Sequence, residues 1–289
     1  MSPCRIIALA CVLVALCGGP LAARAQQNSL GVTPASVDAR VKRGATHTQT
    51  YTIFNRTPVR LRFRCSVSDY WYDEQNRRLT GRPGTLPRSA SPWVQLSPSE
   101  VVVEPNGAAT VKAVITVPQS AAGSYYTMPV FEATPDAPAA QPTPGTETTA
   151  TAAIGIRFRG LLMLTTDTAA EYNVAVLGGK VTPPTESSTL GFDLDVLNRG
   201  TAHARVRGVF AILDSSGRMA GRGKVGEKRF LPGQRDAYKA DWAGDLAPGR
   251  YTAVVTLTFD RAGAEPATQL YEIPFEVGAR RDTRGLADK

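Results

Sequence analysis

Along most of this chain apolar and polar residues alternate with a period of two, and no stretch sustains a helical period. The segment from Val59 to Val67 is the clearest case. Leu61, Phe63, Cys65 and Val67 fall on one face and Arg60, Arg62 and Arg64 on the other, the pattern of a strand with one face in a core. Further strands are predicted at 48–54, 109–117, 125–133, 152–164, 172–177, 190–197, 204–213, 235–242, 251–259 and 269–277. Turn signals separate them, including Gln75-Asn76, Pro105-Asn106-Gly107, Ser215-Ser216-Gly217, Leu231-Pro232-Gly233 and Ala247-Pro248-Gly249. Many short strands at such spacing predict an all-β protein built from sandwiches.

The pattern repeats. Thr52 to Arg56 followed by the strand at Leu61 matches Leu194 to Gly200 followed by the strand at Ala204, and each first strand ends in an asparagine, Asn55 or Asn198. Asparagine accepts left-handed backbone and can hydrogen-bond a turn. Pro105-Asn106-Gly107 matches Pro232-Gly233, and Gly123-Ser124-Tyr125 matches Gly249-Arg250-Tyr251. Two copies of one sandwich are therefore expected. The offset between matched positions shrinks from 143 at Asn55/Asn198 to 126 at Tyr125/Tyr251, so the first copy carries an insertion, Tyr70 to Trp93, with a hairpin at Gln75-Asn76. The Pro/Ala/Thr-rich stretch 135–150 cannot build a core and is expected to be mobile. Tyr251 is followed by one more strand, so the Tyr125 strand needs one too, and 152–164 supplies it. The stretch 135–150 then lies inside the first domain, which ends near Thr166. Pro129 fits this poorly, because it removes a ladder donor from the penultimate strand.

Composition narrows the function. At the N-terminus Arg5 precedes the apolar run Ile6 to Cys17, and Ala23-Arg24-Ala25 offers a signal-peptidase site. This predicts a cleaved signal peptide over 1–25, and the run is shorter than the roughly 20 residues of a membrane span. Leu16 is a poor neighbour for a lipidated Cys17. Cleavage would leave Cys65 as the sole cysteine, with no intramolecular disulfide, so hydrophobic cores must hold the fold. Cys65 is expected to be a buried small hydrophobe. Without Arg5 and Arg24 the chain keeps 31 basic against 25 acidic residues, +6. Residues 26–166 hold 14 and 9, whereas 167–289 hold 17 and 16. A charged partner is therefore expected on the first half. With two histidines, His47 and His203, no Gly-rich phosphate loop and no nucleophile constellation, the sequence points away from an enzyme, a metal site or a cofactor.

An exported pair of Ig-like sandwiches with a long loop before the last strand of the first resembles the PapD-like periplasmic chaperones of pilus assembly. The residues that carry the resemblance are Thr52 to Arg56, the Pro105-Asn106-Gly107 turn leading to Val111–Val117, Gly123-Ser124-Tyr125 and the strand Ile154-Gly155-Ile156-Arg157-Phe158-Arg159. Ser91 to Pro98, continuing to Pro118, is similar too to the Ig-like domains of WxL-interacting proteins, which usually end in a membrane helix, whereas this chain ends in the polar stretch 278–289. The repeat divides the chain into an N-terminal domain at 26–166 and a C-terminal domain at 167–277, with a disordered tail expected at 278–289. The chaperone resemblance implies strand donation to exported pilus-like subunits, with an outer-membrane usher as a further partner. Nucleic acid is not an expected partner, because the basic patch lacks interleaved aromatics and the chain is expected to be exported. Donation is β-augmentation, in which main-chain hydrogen bonds give affinity and side-chain pockets give register. Matched onto this chain, the donors are Ile154, Ile156 and Phe158, extending to Leu161 or Met163. The family anchors the subunit carboxylate with an Arg of the first strand and a Lys of the last. Here the first strand, taken as Leu30 to Val37, has no Arg, and Arg40, Lys42 and Arg43 follow it.

Other readings remain beside this one. An ordinary strand covering its own core explains Ile154, Ile156 and Phe158 equally. Arg60, Arg62, Arg64, Arg157 and Arg159 are expected on one sheet, where they form either an anion-binding stripe or a solvated face that discourages unwanted pairing. Tyr70, Trp71 and Tyr72, with Trp93 stacked near them, could form a glycan platform or close a core; the first option belongs to an adhesive envelope protein. His47 and His203 are expected half-exposed and structural. Asn55-Arg56-Thr57 fits a glycosylation sequon, and the turn explains it as well.

Overall fold

The computed structural model describes residues 29–136, 155–185, 188–261 and 264–278. The expected signal peptide, Ile154, the Pro/Ala/Thr-rich stretch from 137 and the tail from 279 lie outside them. Among the described residues no helix is long and apolar enough to cross a membrane.

Eleven strands build the first sandwich: β1 (Leu30–Thr33), β2 (Ser36–Val41), β3 (Thr46–Asn55), β4 (Leu61–Tyr72), β5 (Arg78–Gly81), β6 (Val94–Ser97), β7 (Glu100–Val103), β8 (Ala108–Thr116), β9 (Ser124–Pro135), β10 (Ile156–Arg159) and β11 (Leu161–Thr166). One sheet runs β1-β3-β8-β6. The other runs β2-β11-β9-β4-β5, with β10 paired to β9 and β7 paired to β4. Alternation does what the sequence predicts. Leu61, Phe63 and Cys65 are buried and Arg62 and Arg64 exposed, and they meet Tyr51, Ile53, Val111, Ile115 and Phe131 in one core. Burial pushes the Cys65 thiol up to about 11, as for a small hydrophobe that stays protonated.

The second sandwich comprises β12 (Val174–Thr182), β13 (Leu190–Asn198), β14 (Ala204–Asp214), β15 (Met219–Phe230), β16 (Arg235–Trp242), β17 (Gly249–Arg261) and β18 (Ala264–Val277). Its sheets run β12-β13-β16 and β15-β14-β17-β18, around a core that includes Leu194, Val196, Phe210, Ile212, Val255 and Leu257.

Several strand expectations change; β6 and β7 lie outside the predicted strands, and the strand expected at 152–164 is divided into β10 and β11. The first strand is longer than Leu30 to Val37 and divided: β1 pairs antiparallel with β3, and β2 crosses to the other sheet and runs parallel to β11 through Val41. Arg40 therefore lies on it, opposite Thr165. Pro129 turns out to fit. The chain breaks between β10 and β11 at Gly160, whose N–H donates to Pro129 O at 2.9 Å. In a strand the N–H and C=O of one residue point to the same neighbour, so the donor Pro129 lacks would have faced that break.

Strand β15 was not expected at all. Its Gly221, Gly223 and Gly226 interrupt the alternation, yet two of these glycines are filled by rings from neighbouring strands. A Cβ on Gly221 would lie 2.5 Å from the Trp242 ring, and one on Gly223 would lie 2.4 Å from the Phe210 ring. Aromatic side chains laid over strand glycines stabilise such pairs. Phe210 is 3% exposed and has no room to withdraw, so Gly223→Ala is expected to destabilise by about 2 kcal/mol through overpacking. Gly226→Ala, where nothing lies within 4 Å, is expected to be neutral or slightly stabilising; urea midpoints of the two variants check the contrast.

The repeat is structural. Asn55 and Asn198 are both fully buried. Asn55 Nδ2 donates to the carbonyls of Val59 (2.7 Å), Val103 and Glu104 (3.2 Å each), and its Oδ1 accepts Thr57 N–H at 3.0 Å. Asn198 repeats the arrangement with Ala202 O (2.8 Å), Phe230 O (2.9 Å) and Gly200 N–H (2.9 Å). The left-handed asparagines are Asn76 and Asn106, in the two predicted turns. Asn55 and Asn198 use their side chains instead, each pinning the loop after its strand to the end of a distant one. A buried, fully engaged Asn55 side chain is closed to glycosylation, so the turn accounts for the sequon.

Candidate functional site

The expected donor segment falls on β10. This strand pairs with β9 on one side, Ile156 opposite Ala133 and Phe158 opposite Phe131, and with no other described strand on its second side. The reason is the division of the first strand. β1 belongs to the opposite sheet, and β2 starts to cover the last strand only at Leu161, opposite Ser36. Four residues of sheet edge are left with free main-chain groups. Phe158 packs partly against the first core, whereas Ile156 on the same face is 48% exposed. Beyond Gly160 the edge is closed, because β2 occupies it and Met163 is buried. The expected extension to Leu161 or Met163 therefore meets an occupied strand position.

The arginines expected to share a sheet do share one, but most are matched by acids within the chain. Arg64 stands opposite Glu132 on β9, and Glu132 stands opposite Arg157 on β10. Arg157 pairs with Glu132, Arg62 with Glu100 and Asp136, and Arg60 with Glu104 and Asp136. Arg64 and Arg159 project from the same sheet as exposed residues. The stripe is thus a mixed-charge face, as on a sheet guarded against unwanted pairing. Of the stretch expected to be mobile, Pro135 ends β9 and Asp136 is held by Arg60 and Arg62, and the rest lies outside the described residues.

The aromatic residues separate. Tyr70 and Tyr126 are buried with Met128, Met163 and Leu231, with Trp71 and Tyr72 packed against them, and Leu231 comes from the second sandwich. Trp93 instead packs against Tyr125, with ring centroids 4.3 Å apart and planes tilted by 50°, and so does not join Trp71. These rings close a small core between the domains. Beside it, Trp71, Tyr72, Glu74 and Asn76 line a groove of about 490 Å³ with Pro232 and Gln234, and Asn76 Nδ2 donates to Arg235 O at 2.8 Å. Asp69, fully buried at the root of the insertion, accepts the N–H groups of Gly84, Thr85 and Leu86 and the Ser89 hydroxyl. Burial alone would raise its carboxyl, but these bonds outweigh burial and hold it below the usual range.

On the other side of the junction Asp38 of β2 faces three groups of the second sandwich. His203 Nε2 lies at 3.1 Å, an Arg205 nitrogen at 2.7 Å and an Arg229 nitrogen at 3.6 Å. Burial raises the Asp38 carboxyl, but the His203 hydrogen bond and charge, then Arg205 and Arg229, prevail and hold it far below the ordinary range. His203 is 6% exposed, not half-exposed as expected; its N–H donates to Ser124 Oγ at 3.0 Å and its ring faces Tyr126. His47 accepts the Lys42 N–H at 2.9 Å. A cleft of about 230 Å³ opens here, lined by Asp38, Arg40, Thr165, Tyr172, His203, Arg205 and Asp260. Gly123, at φ +86, lies against Thr201, whose carbonyl accepts the Ser124 N–H at 2.9 Å. Periodicity could not foresee this cluster, because Asp38 lies 165 and 167 residues from His203 and Arg205. Among the described residues no three His, Cys, Asp or Glu side chains gather as a metal-ligand set.

No family model and no curated relative matches the chain. Solved structures do. The class 5 fimbriae chaperone CfaA is similar over 84% of this chain and 98% of its own, at 12% identity and a TM-score of 0.46. The CsuC–CsuE chaperone-tip adhesion subunit pre-assembly complex, from the archaic chaperone-usher Csu pili of Acinetobacter baumannii, is similar over 84% of this chain and 97% of the matched chain, at 10% identity and a TM-score of 0.43. The E. coli chaperone DraB is similar over 87% and 98%, at 13% identity and a TM-score of 0.39. The chain is all-β, with two sandwiches, and its likeness to PapD-like pilus chaperones is one of fold.

Proposed function

We propose that this chain is an exported, non-enzymatic chaperone that binds pilus-like subunits by lending them strand β10. The observation that carries the reading is the free edge at Ile156–Arg159, where an exposed Ile156 stands beside main-chain groups with no strand partner. An incomplete sandwich that adds a strand there satisfies its own edge and receives Ile156 in an apolar pocket. Phe158, which reaches back into the first core, sets the register. Arg157 and Arg159 point to the other face and keep the edge soluble in the absence of a partner.

The same reading gives the interdomain cleft a task. Arg40 stands on the first strand beside the cleft between the domains, which is where the resemblance places the guanidinium that receives a subunit's C-terminal carboxylate. Bidentate pairing suits that role. The CsuC–CsuE complex pairs a chaperone with a tip adhesion subunit, a partner of the kind this reading requires.

Ile156→Asp is the discriminating change. Ile156 is already half in water, so the variant is expected to keep its fold and its urea midpoint, yet it would place a charge in an apolar pocket. Co-purification with a pilus-type subunit lacking its N-terminal extension is expected to fall at least roughly 30-fold, the scale of burying an unpaired charge. Retention of the subunit at the parental level would refute donation by β10.

A further inference from the structure

The outer face of the sheet β15-β14-β17-β18 is marked in two ways. It carries three of the seven exposed large apolar side chains among the described residues, Val209 (51%), Met219 (60%) and Leu270 (60%), and a shallow groove of about 590 Å³ lies over Val209, Ala211, Met219 and Val254. Its two borders also carry opposite charge. Ladder pairing sets the residues in rows across the sheet: Lys224, Val209, Thr256, Leu270 in one and Arg222, Ala211, Val254, Glu272 in the next. The basic border is thus Arg222 and Lys224 on β15, and the acidic border is Glu272 on β18, all exposed. Nearby Arg207 and Arg218 are matched by Asp260 and Asp214. Arg222, Lys224 and Glu272 form no ion pair with another described residue.

We propose that this face is the interface of a homodimer, occupied by a second copy of the chain. The charge layout selects that partner. A partner of uniform sign would be repelled at one border, whereas a copy turned by a two-fold axis parallel to the strands, running between β14 and β17, meets attraction at both. That rotation exchanges the borders within a row. Arg222 of one copy then faces Glu272 of the other twice over, and Val209, Ala211 and Val254 of the two copies close on each other between them. A two-fold interface of this kind is self-complementary, and sheets packed face to face at about 10 Å with a crossing near −30° are an ordinary arrangement. The face lies on the second sandwich and β10 on the first, so the dimer leaves the donor edge open.

Sedimentation velocity of the purified chain from about 1 to about 100 μM tests this. A reversible monomer–dimer equilibrium is expected. Arg222→Glu is expected to weaken the dimer roughly 100-fold by setting like charges against each other, Lys224→Glu serving as a second variant. Combining Arg222→Glu with Glu272→Arg in one chain is expected to restore dimerisation, because each reversed charge meets the other's reversed partner. A chain monomeric throughout that range would overturn the proposal, as would a dimer indifferent to Arg222→Glu or one that Ile156→Asp dissolves instead.

Discussion

Asn198→Leu is expected to destabilise the second sandwich by about 4 kcal/mol, because it removes bonds from three buried groups: two carbonyls lose their amide donor at about 1–3 kcal/mol each, and the Gly200 N–H keeps only its longer bond to Asn173 O at 3.2 Å. Leucine keeps the branching of asparagine but sets larger methyl groups where hydrogen bonds of 2.8 and 2.9 Å stood, so overpacking adds to the lost hydrogen bonds. The groups are the carbonyls of Ala202 and Phe230 and the N–H of Gly200, and all three bonds are buried. Asn55→Leu removes the equivalent set from the first sandwich. There only the bond to Val103 O is fully buried, those to Val59 O, Glu104 O and Thr57 N–H being partly open to water. Water recovers part of the loss, so about 3 kcal/mol is expected from the same per-group cost. Urea unfolding followed by tryptophan emission separates the two, since Trp242 reports the second domain and Trp71 and Trp93 the first. Equal and small effects at both sites would mean that the boxes are accessories of the turns and not what holds them.

These boxes show how far a single sequence reaches. The asparagine at the end of each first strand and the turn before the later strand were visible as a repeat, because a duplicated sandwich keeps duplicated solutions to one local problem. What the repeat could not say was that the side chain spans about 50 residues in the first copy, Asn55 to Glu104, and 32 in the second, Asn198 to Phe230. Alternation identified β4, β9, β13, β14 and β17, where one face is mainly apolar, and failed at β15, where glycines occupy inward positions and Phe210 and Trp242 supply the missing surface from other strands. The placement of Ile156 and Phe158 on one face followed from the same period. That they stand on an uncovered edge depends on the crossing of the first strand between sheets, which leaves no trace in local pattern. The junction between domains was illegible for a plainer reason. Asp38, Ser124, His203, Arg205 and Arg229 are polar residues in four separate segments, and each looks like ordinary surface until the two sandwiches meet.

Asp38→Ala is the change expected to act most strongly on that junction. The carboxylate is the one acid set among His203, Arg205 and Arg229 at 3.1, 2.7 and 3.6 Å, with Arg40 also on the cleft and Asp260 across from it. Its removal leaves three basic groups facing one another in a half-closed cleft, and one of them, Arg229, already has a buried Nε without a hydrogen-bond partner. Breaking such a cluster by deleting one partner costs about 3 kcal/mol. The loss is expected mainly in docking of the domains, because Asp38 contacts the second sandwich and not its own core. Small-angle X-ray scattering should then show a larger radius of gyration for the variant, with the strand content of each sandwich unchanged by circular dichroism. The pH dependence has a fixed sign. Folding lowers the Asp38 carboxyl, so in acid the unfolded chain binds the extra proton and stability rises with pH. The contribution is complete above the unfolded value near 4 and is lost as the pH falls toward the depressed folded value. The gap in stability between the parent chain and Asp38→Ala is therefore expected to narrow steadily as the pH falls below about 4. A gap that stays constant into strong acid would assign the effect to lost packing at β2, and would leave Gly123, Ser124 and Thr201 as the contacts that hold the domains at their angle.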